Sequence, residues 1–234
     1  MRIIKVKNPE EGGRKAFEIF KEKLEGGASV FGLATGGTPE TTYRELCESD
    51  LDFTHCISIN LDEYVGLSAD NPQSYRYYMD KHLFEKKPFS HSYLPDGTNL
   101  DAEAECARYS KIIAENPVDL QLLGIGRNGH IGFNEPGSPF DGKTQKIHLT
   151  ESTIAANSRY FDNEDDVPKY AYSMGIGEIM KARTILLEAY GEDKAEAISK
   201  MVDGEVTEGV PASVLQNHGD VIVIVDEKAA ELLK

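Results

Sequence analysis

Cysteine is scarce in this 234-residue chain. Cys47, Cys56 and Cys106 are widely spaced and form no C-x-x-C pair. An odd, sparse count of this kind fits a reducing compartment and buried thiols rather than a disulfide framework. Basic residues are the minority, 25 Lys and Arg against 40 Asp and Glu, leaving a formal charge of −15. That balance argues against nucleic acid and against an anionic membrane surface as partners. Its simplest consequence is solubility. No apolar run approaches the ~20 residues that a membrane helix needs. The opening Met1-Arg2-Ile3-Ile4-Lys5-Val6 lacks the long apolar segment of a signal peptide, so a cytoplasmic location is expected. Repeats, low-complexity tracts and Pro/Ser-rich linkers are also missing, which leaves one domain over residues 1–234. Its hydrophobic content of 40% is ordinary for a globular chain of this size.

What is present is alternation. Apolar runs bounded by turn residues predict strands at 3–6, 29–35, 56–61, 118–123, 145–150, 184–190 and 221–225. Helical periodicity and capping signals predict helices at 9–25, 39–48, 72–84, 100–115, 151–161, 175–182, 193–202 and 227–233. In the first, Phe17, Phe20 and Leu24 share a face. In the third, Asn71 is the expected N-cap and Pro72 the first helical residue. Such alternation predicts an α/β fold: one open, mostly parallel, Rossmann-like sheet with helices on both faces.

The most informative stretch runs from 118 to 137, V-D-L-Q-L-L-G-I-G-R-N-G-H-I-G-F-N-E-P-G. It opens as a buried strand and passes into a loop with Gly124, Gly126, Gly129 and Gly132, carrying Asn128, His130, Asn134 and Glu135. Open α/β sheets bind ligands in loops at the C-terminal ends of their strands, so this loop is the expected floor of the site. Residues 124–129 also match G-x-G-x-x-G. The dinucleotide fingerprint needs a helix directly after it, and Gly132, Pro136 and Gly137 argue against one there.

Other candidates lie elsewhere in the chain. The turn Thr35-Gly36-Gly37-Thr38-Pro39 joins a strand to a helix. It reads either as an anion site of free N–H groups and hydroxyls or as a tight connection with Thr38 capping the helix. Lys194 stands in the first turn of a helix, where a cation opposes the helix dipole by ~0.3–1 kcal/mol unless an anion binds there or Glu192 and Asp193 screen it. Arg159 is either a second phosphate ligand or a surface residue. Asp62 and Glu63 close the third strand; neighbours on a strand face opposite ways, so at most one enters the site. A carboxylate there could move a proton between adjacent carbons, or it could merely cap a turn. His130 suits acid–base work. No second His or Cys pair stands at a metal-ligand spacing from it, which disfavours a metal. Glu135 is its expected orienting partner.

Taken together, the motifs L-A-T-G-G-T-P (33–39), N-L-D-E-Y-V-G-L (60–67), L-G-I-G-R-N-G-H-I-G-F-N-E-P-G (123–137), A-N-S-R-Y-F (156–161) and the Lys194 segment resemble the glucosamine-6-phosphate deaminase family, in family order and across most of the chain. The resemblance implies conversion of D-glucosamine 6-phosphate and water to D-fructose 6-phosphate and ammonia, with no metal and no organic cofactor. It implies that Asp62 moves the C2 proton to C1. It also implies that His130, supported by Glu135 and Asn128, opens the sugar ring. The phosphate is then held by the turn from Thr35 through Gly36 and Gly37 to Thr38, with Arg159 and Lys194. The family's larger enzymes carry Asp where this chain has Asn128, and an amide can position the ring without bearing charge. Longer members also have a C-terminal extension that takes part in allosteric control. With the chain ending at Lys234, unregulated kinetics and a monomer rather than a hexamer are expected. A 6-phosphogluconolactonase-like sugar-phosphate hydrolase and a non-catalytic sugar-phosphate sensor are the alternatives. Against the sensor stand the lack of a DNA-binding module before residue 1 and the presence of Asp62, His130 and Glu135 together.

Overall fold

The structure, a computed structural model, describes residues 1–151, 154, 161 and 167–234. Its main elements are β1 (Arg2–Val6), α1 (Pro9–Glu25), β2 (Val30–Leu33), α2 (Glu40–Glu48), β3 (Ile57–Asn60), β4 (Asp62–Tyr64), α3 (Tyr75–Met79), β5 (His91–Tyr93), α4 (Ala102–Glu115), β6 (Leu120–Leu123), β7 (Gln145–His148), β8 (Tyr170–Ser173), β9 (Thr184–Ala189) and β10 (Val221–Asp226). Seven strands form one sheet in the order β1-β10-β9-β6-β2-β3-β5, with every pair parallel. β2, β6, β9 and β10 are buried at every residue, the pattern of strands covered on both faces. The chain crosses one way from β1 through β2 and β3 to β5, then returns to place β6, β9 and β10 on the other side of β2. Right-handed crossovers therefore put α1, α2 and α3 on one face. They put α4 and the helices Ile176–Ile179 and Ala195–Asp203 on the other. The reversal falls between β2 and β6, and the crevice outside that point is where such sheets bind ligands.

α1 shows how local sequence sets packing. Asn8 caps it by accepting from the Glu11 N–H at 2.9 Å, Pro9 leads it, and Glu10 and Glu11 stand in its first turn. Its buried seam is Gly12, Gly13, Ala16, Ile19 and Phe20. Of the expected apolar face, Phe20 is central, while Phe17 and Leu24 are only partly buried at its edge. Small residues make the seam because α2 comes very close. A Cβ on Gly13 would lie 2.7 Å from the Thr41 backbone.

The structure adds β5, β8 and the 3-10 helix Pro211–Asn217, which the sequence reading does not predict, and departs from the expected elements in further places. Asp62 to Tyr64 do not end the third strand. They form β4, which pairs antiparallel with β8, and β7 pairs antiparallel with β8 in turn, so a second, three-stranded sheet sits beside the first. The segment predicted as one helix over 72–84 turns first. Asn71 accepts from the Gln73 N–H instead of capping a helix, Ser74 caps α3 through the Tyr77 N–H, and α3 continues as the wider π turn Asp80–Phe84. Residues 227–232 form turns, and no closing helix forms over 227–233. The predicted helix over 151–161 and the acidic stretch after it fall almost wholly outside the described residues.

One buried carboxylate ties the two strands at the reversal. Asp119, just before β6, accepts from the Ser29 and Val30 N–H groups at 2.8 and 3.0 Å. Its other oxygen lies 3.1 Å from Arg183, whose side chain is largely exposed and adds little. Asp119→Ala leaves those N–H groups without their acceptor and should cost about 1–3 kcal/mol. Urea unfolding at an unchanged m-value measures this; a loss below roughly 0.5 kcal/mol would show that water replaces the carboxylate freely.

Candidate active site

Four neighbouring strands deliver the candidate residues to one crevice: β3 leads to Asp62, β2 to Thr35–Thr38, β6 to the glycine loop and β9 to Lys194. After β2 the chain turns through Thr35, Gly36, Gly37 and Thr38 into α2. Gly36 has φ of 99°, a conformation that a side chain would strain. Pro39, rather than Thr38, occupies the N-cap position of α2, and no side chain caps the helix there. Among the described residues, the N–H groups of Gly36, Gly37 and Thr38 and the Thr38 hydroxyl make no hydrogen bond. The capping role for Thr38 is therefore set aside, and the turn presents three amide donors at a helix N-terminus, an arrangement suited to an anion. The Tyr78 hydroxyl donates to the Gly36 carbonyl at 2.7 Å and holds the turn from outside, a contact that nothing in the sequence marks.

Facing that turn is the loop after β6. A Cβ on Gly124 would meet Thr38 only at 3.9 Å, an ordinary contact, so the turn and the loop are neighbours without demanding glycine there. Gly126 is different: a Cβ would lie 2.2 Å from His130 Cε1, so the ring packs on bare backbone. His130 Nδ1 lies 2.8 Å from Asn128 Oδ1, and the Asn128 amide donates to Glu135 Oε2 at 2.6 Å. Glu135 Oε1 is 3.6 Å from His130 Nδ1, beyond hydrogen-bond range. Glu135 is thus not the direct orienting partner of the ring. Asn128 is, with Glu135 behind it. Because a carboxylate can only accept, the amide must turn its NH2 to Glu135 and its oxygen to the ring. The ring then carries its proton on Nδ1 and leaves Nε2 as the basic atom. Asn134 faces away from this chain. It is buried, and its amide donates to the carbonyls of Ile131 and Met174, pinning the loop.

Asp62 and Glu63 divide as strand alternation requires. Asp62 Oδ2 lies 3.8 Å from where a Cβ on Gly132 would be, which brings it beside the same loop. Burial, and then the Glu63 charge, push its carboxyl up to about 8. Glu63 points the other way and accepts from the N–H groups of Tyr64, Tyr75 and Arg76. Burial raises it to about 7 even though those three donors, and Arg76 nearby, pull the other way. A carboxyl held near neutrality by desolvation beside a cleft suits acid–base work.

Lys194 ends the 3-10 turn Glu192–Lys194, ahead of the helix Ala195–Asp203. Its side chain is 21% exposed, and Nζ is 4.0 Å from Asp193. Asp193 is already engaged at 2.8 Å by Arg127 of the glycine loop. Burial pulls the ammonium below its ordinary value, with Asp193 opposing and Arg127 adding to the effect. A bound anion would reverse that cost. Arg127 was no sequence candidate, although a cation inside a glycine loop of so acidic a chain is a usable signal. Arg159 lies outside the described residues.

Residues 13–223 match the family of glucosamine-6-phosphate isomerases and 6-phosphogluconolactonase. The chain is 67% identical to the glucosamine-6-phosphate deaminase of Ligilactobacillus salivarius over 234 residues, the whole of both proteins. It is 60% identical to that of Enterococcus faecalis over 233 residues, again covering both. Among solved structures, it superposes on a monomeric glucosamine-6-phosphate deaminase with a TM-score of 0.96 at 44% identity, covering 99% of this chain and 100% of the other. The 6-phosphogluconolactonase of Trypanosoma brucei gives 0.82 at 19% identity, covering 100% and 98%, a likeness of fold alone. With this sheet, these motifs and relatives that match it from end to end, the chain belongs to the glucosamine-6-phosphate isomerase and 6-phosphogluconolactonase family, on its deaminase side.

Proposed function

We propose that this chain converts D-glucosamine 6-phosphate and water to D-fructose 6-phosphate and ammonia. The observation that carries this reading is the pairing of a buried carboxyl, Asp62, with an oriented imidazole, His130, across the glycine loop from a turn of free amides. Full-length relatives at 60–67% identity support deamination over lactone hydrolysis.

The phosphate sits on the amides of Gly36, Gly37 and Thr38, with Thr35 beside them, and Lys194 and Arg159 supply positive charge. His130 Nε2 takes the proton of the anomeric hydroxyl and returns one to the ring oxygen, which opens the ring. Asn128 holds the tautomer that leaves Nε2 free, and Glu135 holds Asn128. Asp62, once ionised, removes the C2 proton as O1 is protonated, giving an enolamine. Return of that proton to C1 leaves an imine at C2. Water adds there, and ammonia leaves. None of these steps calls on a metal or an organic cofactor. The free cysteines support a reducing, cytoplasmic setting.

The protein should release ammonia from glucosamine 6-phosphate, and Asp62→Asn should lower turnover about 10²–10⁴-fold with substrate still bound. Since a base must be ionised and burial holds Asp62 up to about 8, kcat/KM should rise with pH and level off only above that value. A flat profile from pH 5 to 9, or near-parental turnover in the Asn variant, removes Asp62 from this role.

Ring opening should separate from proton transfer. His130→Gln should cripple turnover of the cyclic amino sugar yet retain deuterium uptake at C1 of open-chain fructose 6-phosphate. Asn128→Ala, which cuts the direct bond to the ring, should cost more than Glu135→Gln. If exchange and deamination fall in equal proportion in folded His130→Gln, the division of labour fails.

A monomer accords with the superposition on a solved deaminase that is itself monomeric. Sedimentation equilibrium should report a single species of 25.9 kDa; a hexamer would overturn the expectation.

A further inference from the structure

Among the buried carboxyls that the mechanism leaves unused, one stands beside the site. Glu188 lies near the C-terminal end of β9 with no exposed surface. Its two oxygens are both committed, and to different elements. Oε1 accepts from the Thr42 hydroxyl at 2.7 Å, and Oε2 accepts from the Tyr190 hydroxyl at 2.6 Å. Thr42 is in the first turn of α2, directly behind the Gly36–Thr38 amides. Tyr190 stands immediately before Gly191 and the Glu192–Lys194 turn, and the Gly191 N–H is fixed in its own right by Asp226 at 3.0 Å. The Tyr190 hydroxyl is seated against α1, where a Cβ on Gly12 would lie 2.1 Å away. Hence one carboxyl joins the two segments that supply the anion donors and the ammonium. They come from strands that are not neighbours, since β6 lies between β2 and β9.

We propose that Glu188 is a positioning residue for the phosphate site, a clamp that holds the α2 N-terminus and the Lys194 turn at a fixed separation. The proposal rests on the phosphate being bound by those two segments. A phosphate must meet amide donors on one side and an ammonium on the other, and both sets of contacts form only if the gap between them is already set. Preorganisation of this kind shows in affinity, because the ordering cost is met before the ligand arrives. Burial raises the Glu188 carboxyl to about 7, against the pull of the Tyr190 and Thr42 hydroxyls. The clamp therefore places less than a full negative charge beside an anion site near neutral pH.

Two arms acting through one group predict a particular non-additivity. Thr42→Val and Tyr190→Phe each remove one hydroxyl and keep the side-chain shape, so both should fold. Inorganic phosphate titrated by calorimetry into each single variant, the double variant and Glu188→Leu is the test, with Lys194→Ala as a reference. Each single change should weaken phosphate about 3- to 10-fold, the worth of one ordinary hydrogen bond. The double variant and Glu188→Leu should fall within about two-fold of the weaker single variant, because either cut already frees the two segments. With glucosamine 6-phosphate the loss should fall on KM, with kcat changing by a smaller factor. Effects that multiply in the double variant would show two independent packing contacts and overturn the clamp. So would unchanged phosphate affinity, or kcat falling in step with KM. Phosphate titration needs no turnover. A protein that binds phosphate but releases no ammonia therefore counts against the proposed reaction and leaves the clamp to be judged by the cycle. If Lys194→Ala binds phosphate as well as the parent does, the phosphate-site reading itself is at fault.

Discussion

The reversal of strand order at β2 is the constraint on which the site depends. Parallel strands all end on the same edge, and their helices leave that edge in opposite directions on either side of the reversal. β2 therefore delivers a helix N-terminus, with its free amides, on one side of the crevice. β6, running beside it, delivers a loop with no helix after it. The Gly36–Thr38 turn and the glycine loop face each other because β2 and β6 are neighbours and end on the same edge. Asp119 holds the two strands together at the opposite edge, so the geometry of the crevice is set from its base.

Charge poses the second problem. In the proposed reaction a chain of net −15 has to hold a phosphate next to carboxyl groups. Its answer is desolvation more than ion pairing. Asp62, Glu63 and Glu188 are all buried, and burial is the leading cause that raises each of them, to about 8, 7 and 7. A protonated carboxyl places no charge near the phosphate. Burial likewise pulls the Lys194 ammonium down, so the surroundings disfavour charge of either sign, and an anion bound there would favour the cation. The two demands conflict as pH rises. In the proposed reaction, ionising Asp62 creates the base, while ionising Glu188 adds negative charge behind the proposed phosphate site.

Most of the sheet was legible because its strands are short apolar runs between turn residues, and the lengths of α1 and α4 follow from their caps. The second sheet was not. Asp62 to Tyr64 continue the lettering of β3 without a break, and the change of partner at Leu61 is a tertiary event: the Met174 N–H donates to the Leu61 carbonyl as the chain passes to the other sheet. Pro72 misled for a related reason. A Pro after Asn is a helix start or a turn by its letters alone, and the Asn71 carboxamide chose the turn by accepting from Gln73. The closing helix failed although Asp226 accepts from the Ala229 N–H as Asn8 does for α1; the chain after it forms turns, and nothing in its letters separates the two outcomes. Among the candidate residues, those with unusual letters in a strand-to-loop context stand out in the sequence: Asp62, His130, Glu135, the Gly36–Thr38 turn and Lys194. Glu188 does not, since inside the predicted strand over 184–190 it reads as one polar residue among apolar ones.

Asn128 shows how a departure of one atom is absorbed. With a carboxylate in that position, two acidic side chains would meet at the 2.6 Å now spanned by an amide, and one would have to hold a proton. The amide removes the conflict by being a donor on one side and an acceptor on the other. It takes the N–H of its loop neighbour His130 at 3.2 Å as well as the ring at 2.8 Å on the same oxygen, so the loop backbone and the imidazole are oriented together. What it gives up is a full negative charge next to the ring, which would favour the imidazolium. In the proposed reaction the ring must both accept a proton from the anomeric hydroxyl and return one to the ring oxygen, and too strong a partner would hinder the return. Glu135, set one residue back behind a neutral amide, keeps the tautomer fixed while leaving the imidazole able to work in both directions.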